Sequence, residues 1–413
     1  MPTILMQLRR LLPPIVLLLR NAFAQASFFL AAINVVTVHA AELHLPDPLV
    51  TQNGGRVTSA EAWQTTRRPE VLELFRKFVY GRAPVGRPAD LKFEIFDSAS
   101  DAMDGKATRK QVKISYRGPG GEGAINLVLF IPNAAKQPAP CFLLICNRPA
   151  AENIDPTRAV KSPFWPAEEI VARGYAAAAF FNGDVVPDKY DGFKSGVFAI
   201  YDQQPRPADA WGAIAAWAWG ASRALDYLVT DPAIDARRVV VVGHSRGGKT
   251  ALWAGAEDER FAMVVSNDSG CTGAALARGK QGERIRDINR SFPHWFNENY
   301  KTFADREEEL PLDQHMLDAL IAPHPLYIAS ATEDTGADPK SEFLAAVHAG
   351  PVFALFGLKG LADSTMPQPD TPMHGGQIGY HLRTGKHNLT EYDWGCFMDF
   401  ADKHLGQPAA RTK

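Results

Sequence analysis

The sequence predicts an α/β fold with a mostly parallel central sheet and an antiparallel meander at its N-terminal side. Apolar runs over residues 141–146, 175–181 and 326–331 lack polar alternation, the mark of strands buried on both faces. A helical segment, residues 166–173, separates the first two runs, giving the β-α-β rhythm of parallel strands joined by crossovers. Residues 237–255, RRVVVVGHSRGGKTALWAG, pass from a valine run through a glycine-rich turn directly into a helix.

In chain order, residues 1–40 read as a signal peptide. Arg9 and Arg10 give a positive start, residues 11–19 and 28–38 are largely apolar, and Val38-His39-Ala40 resembles a signal-peptidase site. Arg20 and Asn21 interrupt the apolar stretch, so an uncleaved membrane anchor is the alternative. Either reading puts the mature protein outside the cytoplasm, secreted or periplasmic, and signal removal leaves no membrane association. Residues 41–413 are expected as a single domain that opens with an arm of about residues 41–90. Its helix, 68–80, places Val71, Leu72, Leu74, Phe75, Phe78 and Val79 at helical spacing. Segments 91–96, 108–116 and 124–131 follow, separated by turns at Asp104-Gly105 and residues 118–123, which predicts an antiparallel meander. Helix 208–228 bears Trp211, Trp217 and Trp219, aromatics read as packing rather than as a sugar platform. After the glycine turn come a strand at 261–266, the strand 326–331, a helix at 339–348 and an apolar segment at 352–358. A long loop with His374, His381 and His387 then leads to a last helix at 392–404.

The 413 residues suffice for one large α/β domain, and 46% hydrophobic content is ordinary for a packed core. A net charge of -2 gives no electrostatic case for nucleic acid or an anionic membrane surface. Four cysteines make no disulfide scaffold in a chain of this size, and Cys141 and Cys146 face opposite sides of one strand. The sequence shows no CxxC or His-rich ligand cluster, so neither a metal nor another cofactor is expected. A monomer is expected.

Strand, G-x-S-x-G, helix is the setting of a nucleophile elbow, here Gly243-His244-Ser245-Arg246-Gly247. The turn is tight enough that a Cβ at its flanking positions would strike strand or helix. Ser245 is thereby held at a helix N-terminus whose free N–H groups can receive the charge of a tetrahedral intermediate. The plainer reading is a glycine-rich turn in which Ser245 caps a helix. A serine hydroxyl needs a base, and in hydrolases of this kind the chain order is serine, acid, histidine. Asp334, just past strand 326–331, fits the acid, with its neighbour Glu333 and the earlier Asp268 as competitors. His387 fits the base, ahead of the final helix, with His374 and His381 as rivals.

The stretches GHSRGGKTALWAGAEDERFAMVVSNDSGCTGAAL, INRSFPHWF, ATEDTGADPKSEF and GKHNLTEYDW resemble carbohydrate esterase family 15, the glucuronoyl esterases, in its bacterial branch. The likeness covers roughly residues 127–405. It implies the α/β-hydrolase fold, a three-layer sandwich, and a metal-free serine esterase acting on esters of 4-O-methyl-glucuronate that link glucuronoxylan to lignin alcohols. It implies Ser245 as nucleophile, His387 as base, and Arg246 lending its backbone and guanidinium to the oxyanion hole. Fungal members carry a glutamate at the place of Asp268, whereas many bacterial members use an acid at the place of Asp334. Asp334 is therefore favoured, with Asp268 as an assistant. Lys249 matches a lysine that binds sugar hydroxyls, and an ordinary surface lysine is its plain alternative. Arg290 and Trp295 are suited to a uronate or neighbouring sugars by planar donors and by stacking, and equally to a structural role. Two departures stand out. His244 and Asn388 occupy the places of a fungal cysteine pair, and Gly336 stands where bacterial relatives often have a sugar-packing tryptophan. The competing functions are an acetylxylan or other carbohydrate esterase, and a non-catalytic carbohydrate-binding relative.

Overall fold

The computed structural model describes residues 43–408. The expected signal peptide, residues 1–40, lies outside the described residues. Among the described residues no helix is long and apolar enough to cross a membrane.

Among the described residues nine strands form one sheet in the order β1-β2-β3-β5-β4-β6-β7-β8-β9. β1 (Lys92–Asp101), β2 (Ala107–Gly118) and β3 (Gly121–Pro132) are the expected meander, and β3 continues antiparallel onto β5 (Ala176–Phe181). β4 (Ala139–Cys146), β5, β6 (Ile234–His244), β7 (Met263–Asn267), β8 (Leu326–Ala331) and β9 (Ile378–Arg383) are parallel to one another. The parallel strands end on one edge of the sheet, where ligands bind in open α/β sheets.

Alternation along β6 shows why its valine run was needed. Val239 and Val241 enter the core on one face, Val240 and Val242 the core on the other. The first core packs under helices Ala213–Leu228, Arg246–Glu257 and Pro339–Leu355, the second under Ala167–Ala172 and Glu391–Leu405. This is the three-layer arrangement expected of an α/β-hydrolase. Cys141 lies in the first core and Cys146 in the second, and all four cysteines are buried and free.

The arm helix runs over residues 60–80 through alternating α and π segments, longer than its apolar spacing indicated. Tyr80 stacks on Trp253 of the helix that follows Ser245, with ring centroids 4.5 Å apart, and donates its hydroxyl to the Thr272 carbonyl at 2.8 Å. The tryptophans of helix Ala213–Leu228 pack as expected: Trp217 donates to Val186 O at 2.9 Å and Trp219 to Gly86 O at 2.8 Å. That helix starts at Ala213 rather than 208 because Gly212 N-caps it and lies against the Trp295 backbone, where a Cβ would come within 2.2 Å. The apolar residues 352–355 extend helix Pro339–Leu355 instead of forming a separate segment.

Candidate active site

Ser245 adopts φ 58°, ψ −122°, between the end of β6 and helix Arg246–Glu257. Such a conformation is costly for a non-glycine residue and persists only where the surroundings impose it. They do so through contact between strand and helix: a Cβ on Gly243 would lie 1.9 Å from Gly247 O, and one on Gly248 2.9 Å from Ser269 Cβ. The Ser245 N–H donates to Asn267 O at 2.8 Å, which ties the turn to β7. Gly243→Ala is therefore expected to lower unfolding stability by on the order of 3 kcal/mol, as overpacking against backbone does. Chemical denaturation checks this, and a change under about 0.5 kcal/mol would contradict it.

The histidine loop is fixed from its two ends. Thr390 and Asp393 form a capping box at the start of helix Glu391–Leu405, with Thr390 N–H donating to Asp393 Oδ2 at 2.7 Å. Asp393 also accepts from Arg383 Nε at 3.1 Å, and Arg383 Nη2 donates to the carbonyls of Lys386 at 2.8 Å and Asn388 at 3.1 Å. Burial opposes ionisation of Asp393, but the His381 and Arg383 contacts outweigh it and hold the carboxyl below its usual range. Backbone bonds from Thr332 N to Arg383 O and from Glu333 N to Gly385 O, both 2.9 Å, bring the end of β8 alongside this loop.

The result is a short contact between His387 Nδ1 and Asp334 Oδ2, 2.6 Å. The same imidazole lies with its ring centroid 4.4 Å from that of His244, the residue before Ser245. Glu333 is exposed and takes no part. The rival histidines belong elsewhere. His381 is in β9, not a loop, fully buried between Asp393 Oδ1 at 2.8 Å and the Tyr327 hydroxyl at 3.1 Å. His374 Nε2 lies 3.0 Å from the same hydroxyl.

Asp268 sits beside this pair and is differently employed. Its Oδ2 accepts the Asn388 N–H at 3.0 Å, while its buried Oδ1 has no protein partner among the described residues. Burial first, then the nearby Glu342, Asp393 and Asp334 carboxylates, raises its proton affinity well above the usual carboxylate range. Donor atoms of Asp268, Asp334 and His387 all lie within 4.8 Å of one another, close enough in principle for a cation, yet His387 Nδ1 is already engaged by Asp334.

Glu342, from helix Pro339–Leu355, ties the two acid-bearing loops together. Its Oε1 accepts the Gly270 N–H at 2.8 Å and its Oε2 the Ser330 hydroxyl at 2.6 Å. Burial pushes its carboxyl up to about 6, above the ordinary 4.5. A folded-state value raised above the unfolded one means that stability is present below 4.5 and is lost as pH rises through 6. The loss amounts to about 2 kcal/mol by pH 7. Glu342→Gln, measured by thermal melting, should gain stability relative to the unsubstituted chain as pH rises from 4.5 to 7. A pH-independent difference would refute this.

The remaining predicted residues divide. The Arg246 guanidinium is partly engaged: Nη1 pairs with Asp188 and the group lies 5.1 Å from the Trp295 ring centroid, while Nε has no partner among the described residues. Asp188 also contacts His294 Nε2 at 2.9 Å and accepts from Trp295 Nε1 at 2.8 Å. Burial opposes ionisation of Asp188, but these bonds and the Arg246 charge hold it below the usual range. Trp295 stacks on Phe292 at 3.8 Å, so both its edge and one face are used within the protein. Lys249 is no surface lysine. It is buried, with Nζ donating to the Ser269 carbonyl. Arg290 stands apart, 73% exposed and paired with Asp287 at 3.3 Å. Asp188 and Glu342 are not visible in the sequence as site residues. A lone acid past β5 and a glutamate in a helix carry no local pattern that marks them.

The chain is similar to known proteins over most of its described length. A family model described as glucuronyl esterase, fungi, matches residues 155–357. A carbohydrate esterase from an unknown prokaryotic organism is 42% identical over 393 residues, 87% of this chain and 89% of that protein. The solved glucuronoyl esterase from Solibacter usitatus is 41% identical, with a TM-score of 0.82 over 88% of this chain and 99% of that one. The chain belongs to carbohydrate esterase family 15. Within this family 15 chain, a 4-O-methyl-glucuronoyl methylesterase of Podospora anserina matches 69% of the residues at 28% identity. The match spans 54% of that fungal protein. Like other family 15 members it is an α/β-hydrolase and a carboxylic ester hydrolase. His244 and Asn388 lie at the heart of its site: His244 Nδ1 is 2.6 Å from Asn267 Oδ1, and Asn388 bridges Asp268 and Arg148.

Proposed function

We propose that this family 15 esterase hydrolyses esters of 4-O-methyl-glucuronate, the ester links between glucuronoxylan and lignin alcohols. The observation that carries the chemistry is the Asp334–His387 contact of 2.6 Å with the imidazole lying against the residue that precedes Ser245. With Nδ1 engaged, Nε2 is the nitrogen left to serve the serine. In this reading Ser245 Oγ attacks the ester carbonyl while His387 takes its proton, and the imidazolium then protonates the departing alcohol. Water, activated by the same base, releases the uronate from the acyl-enzyme. The Arg246 backbone N–H, at the start of the helix where such donors have no intrahelical partner, faces the oxyanion. The Arg246 guanidinium, Lys249 and Trp295 shape the wall beside it, through Asp188 and Ser269.

Substrate identity rests on the names of the relatives, glucuronoyl esterases among bacteria and 4-O-methyl-glucuronoyl methylesterases among fungi. The reading extends to a monomer, exported by the leader over residues 1–40 and working without an added metal. A panel of benzyl and methyl glucuronate, acetylated xylan and a neutral aryl acetate tests it in the presence of a chelator. Uronate esters should be the preferred substrates. Release of acetate from xylan with no uronate hydrolysis would move the assignment to an acetylxylan esterase while leaving the mechanism intact.

A further inference from the structure

The arginines around the site are paired with carboxylates, with one exception. Arg246 pairs with Asp188, Arg383 with Asp393, and Arg158, farther along the same loop as Arg148, with Glu168 at 2.7 Å. That exception among the described arginines is Arg148. It follows β4 at the edge where the parallel strands end, half-buried, and has no carboxylate partner among the described residues. Its Nη2 donates to Asn388 Oδ1 at 2.8 Å, and its guanidinium lies 4.2 Å over the Phe164 ring.

Those two contacts locate the charge. Asn388 is the residue after His387, and Phe164 also packs edge-on against His244, at 5.7 Å between centroids, the residue before Ser245. Arg148 is thus held by the residue after the base and by a ring that packs on the residue before the nucleophile. The N–H groups at Nε and Nη1 have no acceptor among the described residues. A guanidinium half out of water, stacked on one face and fixed at one nitrogen, is preorganised for a planar oxyanion. The ester carbonyl of a substrate is neutral, but hydrolysis turns that carbonyl carbon into a carboxylate.

We propose that Arg148 takes a uronate carboxylate at the active site, a contact that the uncleaved ester does not make. This rests on the uronate reading above. Two sources share the chemistry, the carboxylate of the released product and that of an unesterified uronate on the same polymer. Arg148 is in neither case required for bond cleavage. Its charge favours acid over ester, so it sets product retention and attraction to acidic xylan.

The test uses Ser245→Ala chain, which cannot turn over, and calorimetric titration with D-glucuronate, with glucose as neutral control and with unesterified glucuronoxylan. Adding Arg148→Gln should weaken glucuronate at least about tenfold, as loss of a charge-assisted hydrogen bond does, with glucose unchanged. Arg148→Lys should retain part of the affinity. Asn388→Ala removes the side-chain contact but keeps the charge, so it should keep glucuronate binding. Weakening for glucuronoxylan alone would assign the contact to a flanking uronate, and weakening for both to the product. Unchanged binding of both in Arg148→Gln, or an equal loss in Asn388→Ala, overturns the proposal. Because binding is read without turnover, a failed ester panel with Arg148-dependent binding would remove the proposed reaction but leave the anion contact. A successful panel with unchanged binding would do the reverse.

Discussion

Ser245→Ala should lower kcat on a glucuronate ester by on the order of 10⁴ or more, the scale on which working triads lose rate when the nucleophile goes. The expectation follows from the turn itself. Ser245 is held at φ 58° by backbone contact between Gly243 and Gly247, and alanine tolerates that conformation no worse than serine. The variant should therefore melt within about a degree of the unsubstituted chain while losing labelling by a fluorophosphonate probe. His387→Ala should cost a similar factor, and the double variant little more, because the two groups act in one step. Retention of probe labelling in Ser245→Ala, or of substantial turnover, would move the nucleophile to another residue, whereas no labelling of the unsubstituted chain would favour a carbohydrate-binding role.

Asp334→Asn and Asp268→Asn should separate widely. An amide at position 334 cannot hold the His387 tautomer that a carboxylate oxygen at 2.6 Å imposes, and the loss should be on the order of 10³ to 10⁴ in kcat. Asp268 is buried beside three other carboxylates that all favour its protonated form, and its contact is with the Asn388 backbone, not the imidazole. A neutral carboxyl is close in shape and charge to an amide, so Asp268→Asn should cost no more than about tenfold, a fraction of the penalty for a charged partner. Side-by-side kinetics on methyl glucuronate decides between them. The reverse order of losses would transfer the orienting role to Asp268.

The nucleophile was legible because its geometry is written in adjacent residues. A valine run, two glycines and a helix-forming segment specify strand, turn and helix through local sterics, and Ser245 follows from them. The same holds for the three-layer plan, where alternation along Val239 to Val242 serves two cores. The histidine and the acid were narrowed but not chosen. His374, His381 and His387 all lie in the last segment before the final helix, and only the pairing of β8 with β9 sends His381 into the core and His387 to the rim. Sequence also could not show that Asp188 and the Ser269 carbonyl engage Arg246 Nη1, Trp295 Nε1 and Lys249 Nζ, or that Arg290 is exposed.

By itself, then, the chain determined where the reactive serine stands and what kind of sheet presents it, since both depend on residues within a turn or a strand of one another. Tertiary structure decided which carboxylate meets the imidazole across a separation of 53 positions, and which arginine remains without a counter-charge. Those outcomes depend on the register and packing of distant segments, and charge compensation is a property of what folding brings together rather than of any short stretch of sequence.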